Sequence, residues 1–145
     1  MEKIQFDSGI KSYRLGEGVL RFNPGDPNVY ARFLEAVEQI RQLEKELTGK
    51  ADTVEGDGGK VVALMQEADG KIKKILDEVF GCGNDFHKLL GGVNLLAVAG
   101  NGQRVITNLF AALEPVLVAG AQSCAEAKTA QAGNKANKRR EQTER

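Results

Sequence analysis

The feature that most limits what this chain can fold into is the stretch Val79–Pro115, VFGCGNDFHKLLGGVNLLAVAGNGQRVITNLFAALEP. It is apolar, yet glycine interrupts it at positions 81, 83, 91, 92, 100 and 102. Glycines at this density read as turns and caps, so the stretch is built of short pieces and not one long element. Three readings fit it: a ligand loop, a close-packed helical corner, or an interaction surface.

The ligand-loop reading finds little chemistry. Gly81-Cys82-Gly83 follows a helical pattern, where paired glycines signal a turn more often than a phosphate cradle. The other glycine-rich segment, Gly56–Val61, lacks the Ser or Thr that a phosphate loop needs after its lysine, and no strand precedes it. Asp52, Glu55 and Asp57 alternate, but not in the register of a calcium loop. His87 is the only histidine, and Cys82 and Cys124 are the only cysteines, too few and too far apart for a metal site. Two reduced thiols are expected, with Cys82, between two glycines, the more exposed. No carboxylate pair sits in an apolar setting that would tune one as an acid. The expectation is a chain with no catalytic residues, no cofactor and no metal.

The flanks supply the fold. Short β-branched and aromatic runs at 4–6, 10–15 and 19–22, separated by DSG and GEG, predict a small antiparallel meander over residues 3–22. FNPGDP then marks a boundary, with Asp26 placed as an N-cap and Pro27 at the first helical position. Val29, Phe33, Ala36, Val37, Ile40, Leu43 and Leu47 recur at helical spacing, predicting a helix over about 27–48 that stops at Gly49. A polar Gly/Asp loop at 51–59 leads into a second helix, about 60–80. Val61, Leu64, Met65, Ala68, Ile72, Ile75, Leu76 and Val79 are its inner face, and Lys71, Lys73, Lys74 and Asp77 its outer one. Gly70 inside this helix weakens it by about 1 kcal/mol relative to Ala.

Within the glycine-punctuated stretch, Gly81 ends the second helix. Asn84 or Asp85 caps a short helix over 85–90 that carries His87 as a surface or partly packed imidazole. Val93–Ala99 is a buried turn or short strand. A last helix starts near Gln103, with Val105, Ile106, Leu109, Phe110 and Leu113 as its buried face, and Pro115 kinks or ends it. If helix continues, it reaches about residue 127. The fold class is therefore α+β, mostly α, with one domain over 1–127 and a polar, disordered tail over 128–145.

Charge and hydropathy restrict the partners. Twenty basic and twenty acidic residues give no net charge, which argues against a chain-wide nucleic-acid footprint. The KANKRR cluster at 135–140 is interleaved with acids nearby, as in a solubilising tail. The start, MEKIQFDSG, is not a signal peptide, and neither apolar segment, 93–99 or 109–121, reaches the roughly 20 residues of a membrane span. A soluble intracellular chain is expected. Residues 93–99 and 105–121 hold more aliphatic surface than a short three-helix domain readily hides, which suggests a self-association seam or a groove for a partner helix.

FNPGDPNVYARFLEAVEQI, the D-E-V-F-G-x-G-N-D run at Asp77–Asp85 and LGGVNLLAVAGNGQRVITNLFAALEPVL together resemble small siphophage tail-gene proteins. These are the short tail assembly chaperones encoded between the tail tube and tape measure proteins in phages and prophages of Gram-positive bacteria. The resemblance covers roughly residues 4–120 and lies in the layout of elements, not in one diagnostic motif. It implies a helical, non-catalytic protein of the host cytoplasm that coats the tape measure protein and recruits tail tube subunits. On that reading the partner-binding residues are Phe80, Phe86, Leu89, Leu90, Val93, Leu95, Leu96, Leu109 and Phe110. A structural virion subunit for tail completion or connection is the alternative, followed by a nucleic-acid-binding regulator resting on KANKRR.

Overall fold

The computed structural model describes residues 1–81 and 83–143, with side chains described as far as residue 127. Cys82 and the side chains of the KANKRR cluster lie outside the described residues. The chain is α+β and mostly α. Strands β1 (Lys11–Leu15) and β2 (Gly18–Phe22) form an antiparallel hairpin, followed by helices α1 (Pro27–Thr53), α2 (Gly58–Phe80), α3 (Phe86–Leu89) and α4 (Val105–Thr143).

The hairpin pairs Tyr13 with Leu20 and Ser12 with Arg21, so alternate side chains face inward. Leu20 and Phe22 are buried, and Tyr13 stacks on Phe22 at 5.1 Å between ring centroids. Phe22 meets Phe80 edge-on at 4.8 Å, and Phe80 lies 5.5 Å from Phe86. This aromatic row joins the hairpin, the end of α2 and α3 into one core.

The first strand of the expected meander does not form. Residues 1–10 have no regular structure, and Ile4 and Phe6 are exposed. The cause is local. Asp7 Oδ1 accepts the Gly9 amide at 2.8 Å, Gly9 takes a φ of +76°, and Asn23 Nδ2 donates to the Ser8 carbonyl at 3.0 Å. These contacts hold the chain beside the end of β2 and turn it away from the outer edge of β1.

Helix α1 starts as expected, with Asp26 Oδ1 accepting the Asn28 amide at 2.9 Å. It runs past Gly49, because a single exposed glycine costs only about 1 kcal/mol and the residues after it are compatible with helix. Helix α2 is capped by Asp57, which accepts from the Lys60 amide, and ends at Gly81 with φ +85°. Gly70 has open space around its α-carbon. Gly70→Ala should therefore stabilise the chain by about 0.5–1 kcal/mol in chemical unfolding, the helix-propensity gain with no steric cost.

Helix α4 starts two residues later than expected and does not end at Pro115 or near residue 127. Proline removes the N–H that would reach the Ala111 carbonyl, but Ala111 and Pro115 are both exposed, so water can take that acceptor. Beyond residue 127 the backbone stays helical to Thr143, where a disordered tail was expected. Alanine, lysine, arginine and glutamine dominate there, and they favour helix without needing an apolar face. Joined across Pro115, Val105–Ala127 is 23 residues long and, by length and composition alone, apolar enough to span a bilayer. This overturns the expectation that no segment reaches that length. Ile106, Leu109, Leu113 and Leu117 of the same helix are buried in the domain, and a core helix passes the same test.

Helices α1 and α2 make the most extensive helix pair, while α4 meets α1 over a shorter stretch, with Phe110 edge-on to Phe33 at 5.6 Å.

Candidate partner-binding groove

The glycine-punctuated stretch is a packed corner held by buried polar contacts. Lys73 on α2 is 4% exposed, and its Nζ lies 2.9 Å from Asp69 Oδ2 and 2.9 Å from His87 Nδ1. Asp69 Oδ1 accepts the amide of Leu95 at 2.8 Å. Asn94 turns back on its own loop, accepting the Leu96 amide at 2.8 Å. The loop can therefore bury Leu95 and Leu96 completely without leaving their amides unpaired. The ammonium, donating to Nδ1, fixes the imidazole in the tautomer with its proton on Nε2.

Lys73, expected on the outer face of α2, is buried, and Asp69 is its unexpected partner. The legible signal was the Asp-Lys spacing of four, which puts both on one side of a helix. At the other end of the corner, Asn84 does not cap α3. Its side chain accepts the Arg21 amide at 3.0 Å and donates to the Arg21 carbonyl at 2.8 Å, occupying the place of a third strand beside β2. Asp85 caps α3 instead, accepting the Lys88 amide at 3.2 Å, and Asp77 Oδ1 accepts the Phe86 amide at 2.8 Å.

The corner therefore spends most of its apolar residues on the core. Of the nine nominated partner-binding residues, Phe80, Phe86, Leu95, Leu96 and Leu109 are buried. Leu89, Leu90 and Phe110 are half-buried, and Val93 alone is exposed. They do not form one outward apolar face.

An open apolar surface lies elsewhere, along the seam between α1 and α2. Leu43, Leu47, Leu64 and Ile75 are half-buried there, and Ala36, Ala68 and Val79 lie beneath. The widest part is a shallow cavity of about 440 Å³ floored by Leu43 and Ile75, between Gln39 and Gln42 on α1 and Lys71, Lys74 and Glu78 on α2. It continues toward Arg32 and Glu35 in one direction and toward Glu46, Lys50 and Leu64 in the other. From Arg32 to Lys50 the seam is roughly 27 Å long, at 1.5 Å per helical residue. Arg32 Nε donates to the Val79 carbonyl at 3.0 Å and fixes one end of the pair.

Among the described residues, no group of three or more His, Cys, Asp or Glu side chains could hold a metal ion. Comparison with protein-family models, with curated proteins and with solved structures returns no match.

Proposed function

We propose that this chain is a helix-holding assembly factor: a non-catalytic chaperone of siphophage tail type that binds a helical segment of the tape measure protein in the α1–α2 groove. The observation that carries this reading is the groove itself, an aliphatic floor left half-open between two charged and amide-bearing walls. A third helix laid along an antiparallel pair buries such a floor, with its own apolar residues at i, i+3, i+4 and i+7. The length of the seam suits a client segment of about five turns. The mixed rim of Glu35, Glu46, Lys71 and Lys74 keeps the free groove soluble and lets the client leave, since exposed ion pairs contribute little affinity. The tail tube protein is the second partner that the family resemblance implies, and the host cytoplasm is the implied compartment.

Co-expression with the tape measure protein tests this directly. The wild-type chain is expected to co-purify with it, and the Leu43→Glu, Ile75→Glu double variant to lose at least ten-fold of the captured client. That loss corresponds to about 1.4 kcal/mol or more. Both side chains are half-buried against the core, so the variant should melt below wild type, and capture is compared where circular dichroism shows both chains folded. Absence of a wild-type complex, or equal capture by the folded variant, defeats the proposal.

A further inference from the structure

The N-terminal arm and the outer edge of β1 are each incomplete, and they complement one another. The arm, residues 1–10, presents Ile4 at 88% and Phe6 at 79% exposure, spaced by two as in a strand. Among the described residues, no backbone–backbone hydrogen bond ties residues 1–7 to the rest of the chain.

The hairpin is unfinished on one side only. The Arg21 amide and carbonyl point away from β1, because both are bonded to Asn84. Its cross-strand neighbour Ser12 must therefore point its own amide and carbonyl outward on the opposite edge, and so must Arg14, two residues on. Among the described residues, none of these outward groups has a hydrogen-bond partner. The β2 edge is blocked by a side chain, while the β1 edge is open and unprotected by proline or a bulge.

The chain's own arm is held away from that edge. Asn23 holds Ser8 by its carbonyl, and a Cβ on Gly9 would fall 2.7 Å from Asn23 Nδ2. The arm thus leaves past the end of β2, and a fold back onto β1 would break this clamp.

We propose that the N-terminal arm of one copy adds as an antiparallel third strand to the β1 edge of a second copy, and that the exchange is reciprocal. In the register that sets Phe6 opposite Tyr13, Ile4 lies opposite Leu15, and Gln5 and Asp7 face the free backbone groups of Arg14 and Ser12. Phe6 and Ile4 then cover the half-buried flanks of Tyr13 and Leu15. A two-stranded sheet becomes three-stranded in each copy, past the size at which a sheet is marginal. Because each copy gives one arm and receives one, the assembly closes as a two-fold dimer. The surface is separate from the α1–α2 groove and does not depend on what the groove binds.

Sedimentation equilibrium of the full chain over a dilution series tests it, with two variants. The wild type is expected at twice its chain mass of 15.7 kDa. Phe6→Glu places a charge on an arm that is free in the monomer, and Arg14→Pro removes one outward N–H without touching a bond inside the hairpin. Both should halve the mass with unchanged circular dichroism. A wild type at single mass throughout, or at any mass other than twice, overturns the proposal. So does a Phe6→Glu chain that keeps the doubled mass. Should Arg14→Pro fail to fold, Phe6→Glu alone decides.

Discussion

Lys73→Met is expected to lower the unfolding free energy by about 3–5 kcal/mol, because it leaves the Asp69 carboxylate buried without its counter-charge. The size follows from where the pair sits. The side chains of Lys73 and Asp69 are 5% and 12% exposed, unlike the surface pairs Arg41–Glu38 and Lys71–Glu67, which contribute little. The loss should not arise from removing the pair as such. The double variant Asp69→Asn, Lys73→Met keeps an amide oxygen to accept the Leu95 N–H and removes both charges. It should therefore recover to within about 1–2 kcal/mol of wild type, since apolar replacement of a buried pair is often close to neutral. His87 is exposed, and its freed Nδ1 can turn to water. Urea unfolding of the four members of this cycle gives the coupling. Hydrogen exchange at the Leu95 amide gives a second reading: protection should fall in Asp69→Ala and persist in Asp69→Asn. A single-variant loss below about 1 kcal/mol would mean that water already reaches the carboxylate, and the corner would then need another explanation.

The second large effect is at Gly120, where alanine should destabilise the chain by about 1–3 kcal/mol even though alanine is the better helix former. Helix α4 crosses the Pro24–Gly25 turn so closely that a Cβ at Gly120 would land on the Pro24 carbonyl, which is backbone and cannot swing aside. Either the helix lifts away, uncovering Leu117 and Leu113, or the turn shifts and disturbs the Asp26 cap of α1. Gly70→Ala supplies the control, since the same chemical change in open space should act in the opposite direction. Equilibrium unfolding of both variants side by side is sufficient. Equal signs would mean that α4 does not approach the turn as closely as the structure has it.

Much of the secondary structure was legible from residue spacing. Asp26-Pro27 marks the start of α1, the three- and four-residue steps of Val29–Leu47 and Val61–Val79 mark two helices, and Gly81 marks a stop. These are local signals, carried by backbone conformations and periods that a few neighbouring residues set. The misreadings have the opposite character. Ile4–Phe6 has strand composition but no strand, because Asn23, far along the chain, holds Ser8. Pro115 is tolerated inside α4 because it falls on the helix face that meets water, and which face that is depends on how α4 lies against α1.

The candidate site shows the same division. Helical periodicity marks Leu43, Leu47, Leu64 and Ile75 as apolar-face residues, but it is silent on whether another element covers them. In the fold α2 covers one flank of the α1 stripe and leaves a groove along the seam. The glycine-punctuated corner, nominated for a partner because it holds so many aliphatic residues, is instead drawn inward: Asp69, Asn94 and Asp77 accept its Leu95, Leu96 and Phe86 amides, Lys73 joins Asp69 to His87, and Asn84 ties the corner to β2.

By itself the sequence determined the fold class, the strands-then-helices order and the start of α1, since each follows from local conformational preference. Only the tertiary structure decided that Lys73 is buried, that the aliphatic corner is core, and that the open apolar surface lies between α1 and α2. Burial is a property of what packs against a residue, and contacts between residues distant in the chain leave no local period to read.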